Sequence, residues 1–305
     1  MAAPARDNAA RPLVLCIGEI LWDCFPDRKV LGGAPLNCAW MAQAAGARSL
    51  PVSRVGDDAD GRAILDVMRT KGLDSSAIQT DPAHRTGIVD VKVSPKGEPT
   101  FTIVENVAYD HLAWDENLRR PLSQCRALCF GSLAQRNPAA RASILRMIDA
   151  APQALKVYDI NLRQHFYTRE ILADGFRRSQ VVKLNDGEFE TLKSLFAEEF
   201  KCGVPAFMAH FGIDLLAVTR GGDGCTLYRP TEEVSVPGIK VKVADTVGSG
   251  DAFTAGLILA RLRNAPLRDI AREANLLGAY VATQVGGTPD IDPAALAALR
   301  KQAGL

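Results

Sequence analysis

Short apolar runs alternate along this chain with longer stretches of helical character. The first run, Leu13-Val-Leu-Cys-Ile17, ends at Gly18-Glu19 and reads as a strand. Runs at 50–55, 127–131, 155–160, 180–184, 214–219 and 225–228 read the same way. The spacing predicts helices over 60–71 and 138–150, and an Ala-rich helix from about Cys38 to Ala45 after the turn Gly32-Gly33-Ala-Pro-Leu-Asn37. Apolar strands separated by helices belong to a parallel sheet covered on both faces. One region breaks this rhythm. Between Thr86 and about Asp110, strand patterns at Gly87–Val93 and Thr100–Val104 flank a turn at Ser94-Pro-Lys-Gly97, with no helix between them. Residues 20–31 add strands to the same small sheet. Such an insertion is either a surface decoration or a lid over the C-terminal ends of the parallel strands, where ligands of open α/β sheets bind. The lid is the expectation.

Polar clusters stand where the predicted strands end. Asp159-Ile-Asn161-Leu-Arg163 follows one strand, Asn185-Asp-Gly-Glu188 another, and Thr219-Arg-Gly-Gly-Asp-Gly224 a third; Asp23 and the Gly33…Asn37 turn follow the first. The most informative stretch is Asp245-Thr-Val-Gly-Ser-Gly-Asp-Ala-Phe253, a Gly-Ser-Gly turn leading to Asp251 and a long apolar run, Ala252 to Leu262. A glycine turn entering a helix aims unpaired backbone N–H groups at one point, where the helix dipole favours negative charge. A carboxylate beside that cradle has two readings: it caps the helix, or it takes a proton from a hydroxyl while the cradle holds a phosphate. Near a helix N-terminus its pKa is expected to be depressed.

Composition narrows the class. The chain has 305 residues, 47% hydrophobic and 23% charged, with net charge +1, so nothing electrostatic argues for nucleic acid or an anionic membrane. No apolar run approaches the length of a transmembrane helix. Residues 1–11 read as a loose tail, 12–305 as one domain, and a cytoplasmic enzyme is the expected class. The seven cysteines are scattered and read as reduced, buried thiols rather than metal ligands. No glycine precedes Lys-Ser or Lys-Thr as a P-loop requires, position 253 is Phe where a dinucleotide fingerprint needs glycine, and H-E-x-x-H is absent. Ser249 lacks the flanking glycines of a nucleophile elbow, since Val247 and Asp251 stand there.

Together these clusters resemble the ribokinase-like (PfkB-type) carbohydrate kinases over roughly residues 12–300. The Asp245-Thr-x-Gly-x-Gly-Asp251-x-Phe253 signature is the specific element. The opening Gly18-Glu-Ile-Leu-Trp-Asp23…Gly32-Gly33-Ala-Pro-Leu-Asn37 is most similar to the bacterial fructokinase branch. The resemblance implies an α/β, three-layer α/β/α sandwich with a mostly parallel sheet and a small β lid built from about 20–35 and 86–110. It implies Asp251 as the base, with backbone N–H groups of Gly248, Ser249 and Gly250 as the anion hole. It places Asp23, Gly33, Asn37 and Arg163 on the sugar, Arg163 being open to an ion pair with Asp159 instead. Asn185, Thr219, Gly221, Gly224, Asn275 and Gly278 are placed on ATP, and Glu188 with Asn185 around Mg²⁺ through water. Asp245, Val247, Val281, Gln284 and Gly286 outline a potassium site. Many relatives carry Asn after the Gly-Gly pair where this chain has Ala34, which leaves the sugar open.

An ATP- and Mg²⁺-dependent fructokinase is therefore the expectation. Its rivals are a kinase of the same fold for ribose, 2-keto-3-deoxygluconate or a nucleoside, and a catalytically silent sugar-binding regulator. Exposed edges of the lid suggest a homodimer.

Overall fold

The computed structural model describes residues 11–93 and 99–305. The turn expected at 94–97, and the expected tail apart from Arg11, lie outside them. In chain order the strands are β1 (Leu13–Ile17), β2 (Leu21–Cys24), β3 (Lys29–Gly32), β4 (Arg48–Gly56), β5 (Ile78–Asp81), β6 (Gly87–Val93) and β7 (Pro99–Ile103). They continue as β8 (Ala127–Phe130), β9 (Leu155–Asp159), β10 (Val181–Asn185), β11 (Leu215–Thr219), β12 (Cys225–Arg229) and β13 (Glu232–Val236). The large sheet runs β13-β12-β11-β10-β9-β8-β1-β4-β5, and β3-β2-β6-β7 form a separate small sheet. The pairs from β11 through β5 are parallel, whereas β12 and β13 pair antiparallel at one edge.

The strands of the large sheet are apolar on both faces because helices cover both. Val14 and Cys16 of β1 join one buried cluster and Leu15 and Ile17 the other; Leu215 and Ala217 of β11 divide from Leu216 and Val218 in the same way. The first layer contains α1 (Ala34–Ala44), α8 (Ser249–Leu262) and α9 (Leu267–Ala282). The second includes α4 (Pro138–Asp149), α5 (Arg169–Arg177) and α7 (Val204–Phe211). Among the remaining helices, α2 (Ala59–Thr70) follows β4 and α6 (Asp186–Leu195) follows β10; α3 spans Arg119–Gln124 and α10 Pro293–Gln302. This is the expected three-layer sandwich with a small second sheet. Among the described residues no helix is long and apolar enough to cross a membrane.

Two boundaries differ from expectation. Helix α1 begins at Ala34 rather than near Cys38, because Pro35 sits in its first turn, where a missing N–H costs nothing, and Gly33 supplies the N-cap at φ 110°. Helix α8 begins at Ser249 rather than Ala252, so Ser249, Gly250 and Asp251 form its first turn. Its residues Ala252 to Ala260 are all buried, as suits a helix packed on every side. At Gly256 a Cβ atom would lie 2.9 Å from the Ala274 Cα, so the glycine permits the close approach of α8 and α9.

Candidate active site

Because β1 and β8 through β11 run parallel, the residues that follow them gather at one edge of the sheet, facing the small sheet and the start of α8. There they line a cavity of about 750 Å³. Asp23, Gly33, Asn37, Arg163, Asn185, Thr219, Gly221, Gly224, Gly248, Ser249, Gly250, Asp251, Asn275 and Gly278 all reach its wall. Val247 also reaches it. The polar clusters read separately along the chain thus form one site. Its volume suits a ligand of drug size or somewhat larger.

The centre is the first turn of α8. Gly248 takes the left-handed conformation, φ 76°, and a Cβ there would fall 2.5 Å from the Gly287 Cα, so both its torsion and its neighbour demand glycine. Of the three N–H groups expected to form the anion cradle, that of Ser249 instead donates to the Thr246 carbonyl at 3.2 Å. The N–H groups of Gly248, Gly250 and Asp251 make no hydrogen bond among the described residues. The Ser249 hydroxyl is buried and without a partner. The unpaired donors of this turn are therefore the N–H groups of Gly248, Gly250 and Asp251 and the side chain of Ser249.

Asp251 does not cap the helix. Its Oδ2 accepts a 2.8 Å hydrogen bond from Asn37 Nδ2, which joins the third residue of α8 to α1. Its pKa is raised to about 6, against the depression expected from the helix dipole. Burial is the largest cause, the charge of Asp159 adds to it, and Lys183, the Asn37 bond and Arg163 only partly oppose them. Removal of water from a carboxylate here outweighs the partial charge of one helix end.

Lys183 lies on β10, where the apolar pattern of the strand gives no sign of its role. Its buried Nζ lies 3.2 and 3.1 Å from the two Asp159 oxygens. That answers the question left by Arg163: the partner of Asp159 is Lys183, and Arg163 lines the cavity with one guanidinium N–H on the Leu162 carbonyl. The Thr254 hydroxyl donates to Asp159 Oδ2 at 2.7 Å. A Cβ built on Gly250 would sit 3.1 Å from Lys183 Nζ, so the ammonium stands directly behind the cradle. Burial works against its charge, but Asp159, Asp251 and Glu188 outweigh burial and leave its pKa raised.

Toward the small sheet the cavity is acidic. Asp23 on β2 has its pKa raised to about 6, by burial, with Arg163 opposing. Glu19, just after β1, is 3% exposed, lines the cavity, and has its pKa raised by burial to about 7. The left-handed Asn161 (φ 41°) and Gln164 (φ 48°) bend the loop that carries Arg163.

At the other end, Asn185 and Glu188 form a capping box on α6. Asn185 Oδ1 accepts from Glu188 N at 2.8 Å and Glu188 Oε2 from Asn185 N at 2.8 Å, while Glu188 Oε1 accepts from Leu162 N. Asn185 is exposed to the cavity and Glu188 is buried behind it. At Gly224 (φ 93°) a Cβ would fall 2.1 Å from the Val236 carbonyl oxygen, which fixes that tight turn. Asn275 Nδ2 reaches the Pro237 carbonyl at 3.4 Å, and Gly278 packs under Ser249.

Asp245 acts as a staple. Its Oδ1 accepts from Val247 N and its Oδ2 from Gly286 N, both at 3.0 Å, joining the loop before α8 to the loop after α9. The Val281 carbonyl already accepts from Gln284 N at 2.8 Å.

Five of the seven cysteines are buried; Cys24 is half-buried, Cys202 is exposed, and none is in a disulfide.

A family model described as pfkB family carbohydrate kinase matches residues 14–294. Fructokinase-1 of Zea mays is 29% identical over 311 residues, covering 93% of this chain and 95% of that protein. A double-mutant fructokinase from Vibrio cholerae, solved with fructose, ADP and a potassium ion bound, is 27% identical with a TM-score of 0.77, covering 94% of this chain and 98% of that one. An uncharacterised sugar kinase from Pyrococcus horikoshii is 25% identical with a TM-score of 0.81, covering 96% and 98%. The glycine turn on α8 and the sheet edge facing it sit inside a match that runs nearly the whole length of the chain, and the chain belongs to the pfkB family of carbohydrate kinases.

Proposed function

We propose that this carbohydrate kinase transfers the γ-phosphoryl group of ATP to the primary hydroxyl of a neutral sugar, D-fructose giving fructose 6-phosphate, with Asp251 as the base. One observation carries the reading: Asp251, held by Asn37, stands beside a turn of unpaired N–H groups at the meeting point of an acidic and a glycine-rich half-cavity.

In the reaction so read, the sugar lies against Asp23, Gly33, Asn37 and Arg163. Asn37 spends its amide N–H on Asp251, and its buried Oδ1 is left without a partner, free to accept a sugar hydroxyl. Asp251 takes the hydroxyl proton as the oxygen attacks phosphorus. A pKa of about 6 leaves it ionised near neutrality yet more basic than an ordinary aspartate. Charge on the transferred group meets the N–H groups of Gly248, Gly250 and Asp251, the ammonium of Lys183 behind them and the start of the α8 dipole.

Asn185, Thr219, Gly221, Gly224, Asn275 and Gly278 take the nucleotide. The oxygen donors of Asn185 and Glu188 suit a hard cation such as Mg²⁺ held through water, because both Glu188 oxygens already accept backbone N–H groups. Bound with ATP, Mg²⁺ neutralises phosphate charge. A potassium site beside the loops that Asp245 joins, with carbonyls of Val247, Val281, Gln284 and Gly286, belongs to the same reading.

Fructose is favoured over 2-keto-3-deoxygluconate by charge. Among the described residues, Glu19, Asp23 and Asp251 face one guanidinium, Arg163, at the sugar end, while the other lining cation, Lys183, is paired with Asp159, and an anionic sugar would add to that acidity. The fructose bound to the Vibrio cholerae relative and the fructokinase names of the plant relatives support the same choice. Turnover measured by coupled ADP release over fructose, ribose, 2-keto-3-deoxygluconate and nucleosides tests it. A ribose or nucleoside preference refutes the fructose assignment, and sugar binding without turnover refutes the catalytic one. Pairing of two copies through β3 and β7, the outer strands of the small sheet, is tested by light scattering.

A further inference from the structure

The acidic end of the cavity holds one side chain with no role in the reaction proposed above. Glu19 sits in the connection between β1 and β2, is 3% exposed, and lines the cavity. Its Oε2 is buried and has no hydrogen-bond partner. A buried, unpaired carboxylate oxygen is costly in a finished fold unless something else arrives to satisfy it. The backbone N–H groups of Glu19 itself and of Ala34 face the carboxylate and partly offset its burial.

Its position can be triangulated. Arg163 acts electrostatically on Glu19, Asp23 and Asp251 alike, and Asp251 acts on Glu19. Glu19 therefore lies near both Asp251 and Arg163, at the end of the cavity that holds Asp23 rather than the nucleotide end. Its backbone is fixed there by the turn it supports: a Cβ on Gly33 would strike the Glu19 carbonyl oxygen at 2.4 Å. The residue after Gly33 is Ala34, which brings no polar side chain to that wall. A hydroxyl is the group that satisfies such an oxygen in either charge state, donating to the carboxylate or accepting from the acid.

We infer that Glu19 is a further sugar-binding residue, whose Oε2 holds a hydroxyl of the substrate other than the one phosphorylated and so helps set sugar specificity. This rests on the sugar reading of the site given above.

The test uses the full chain with ATP, Mg²⁺, D-fructose and the single-deoxy analogues of fructose. Glu19→Gln keeps the shape of the side chain but replaces one carboxylate acceptor by an NH₂ group, which can only donate. The KM for fructose should rise at least tenfold in Glu19→Gln and Glu19→Ala, with the KM for ATP within twofold of wild type. One deoxy analogue, discriminated against by the wild type, should lose that discrimination in both variants. A fructose KM within twofold of wild type in Glu19→Gln overturns the inference, as do equal rises in the two KM values or unchanged discrimination across all analogues. If Glu19→Ala fails to fold, Glu19→Gln alone decides. Failure of the sugar reading is distinguishable, because wild type would then turn over none of the sugars; turnover of another panel sugar moves the same comparison to that sugar and its deoxy analogues.

Discussion

Replacing Asp251 by Asn separates what this carboxylate does for chemistry from what it costs the fold. The substitution keeps shape, and the new amide oxygen still accepts from Asn37 Nδ2, 2.8 Å away in the native pair. If Asp251 is the base as proposed, kcat should fall by about 10²–10⁴, the usual contribution of a positioned general base. ATP binding should persist, since the cradle N–H groups are backbone. Stability should move the other way. The folded-state pKa of Asp251 is about 6 against an ordinary 3.8, a rise of about two units, and each unit corresponds to about 1.4 kcal/mol. A carboxyl whose pKa rises on folding favours the folded chain when protonated and opposes it when ionised. The stability associated with the acid form is thus complete below pH ~4 and lost as pH rises through about 6. At pH 7 the variant should be more stable by up to ~3 kcal/mol, with water in the cavity reducing that toward ~1 kcal/mol. Urea unfolding from pH 4 to 8 reads this directly, as a difference that opens between pH 4 and 6 and then levels. Turnover above a tenth of wild type refutes the catalytic role. A variant no more stable than wild type at pH 7 refutes the electrostatic account.

For the wild type, kcat/KM should fall about tenfold per pH unit below about 6; because Glu19 and Asp23 titrate nearby, an apparent pKa anywhere from about 6 to 7 agrees, and a flat profile down to pH 5 does not. Gly248→Ala forces a side chain into a left-handed residue 2.5 Å from the Gly287 backbone, so it should lose ~1–3 kcal/mol in urea unfolding and more than tenfold in kcat. Lys183→Met leaves Asp159 buried without its cation, which should cost ~3–5 kcal/mol and move the acid limb of the rate profile upward; Asp159→Asn in the same chain should restore much of the stability. Activation by potassium chloride over tetramethylammonium chloride, expected of the wild type, should vanish in Asp245→Ala, where the two loops lose their common acceptor.

The alternation of apolar runs and helices carried most of the large sheet, because strands buried on both faces need no partner to be recognised. β5 and β13 escaped it: the one buried position of β5 is Asp81, and β13, at the sheet edge, opens on two exposed glutamates and buries only Val234 and Val236. The start of α1 was hidden by Pro35, which reads as a turn residue but fits equally well in a first helical turn. The glycine turn and Asp251 were legible because their torsions and chemistry are local. The sign of the Asp251 pKa was not, since it depends on how completely β9, β10 and α1 close around the carboxylate. Lys183 was silent for the same reason: only its distance to Asp159, 24 positions back in sequence, turns an apparent strand residue into a buried cation. Glu19 gives no signal until its Oε2 is seen to be buried without a hydrogen-bond partner.

The small sheet is joined to the large domain at four crossings: residues 18–20 before β2, Gly33 after β3, residues 82–86 before β6, and 104–107 after β7. Two of them carry cavity-lining residues, Glu19 and Gly33, whereas the glycine turn on α8 and the nucleotide half belong wholly to the large domain. Rocking of the small sheet about those crossings would reshape the end of the cavity that holds Glu19, Asp23 and Gly33 first, and would reach α8 only through α1 and the Asn37–Asp251 bond. In the reaction proposed above, substitutions at the crossings would therefore bear on the acceptor more directly than on the phosphate.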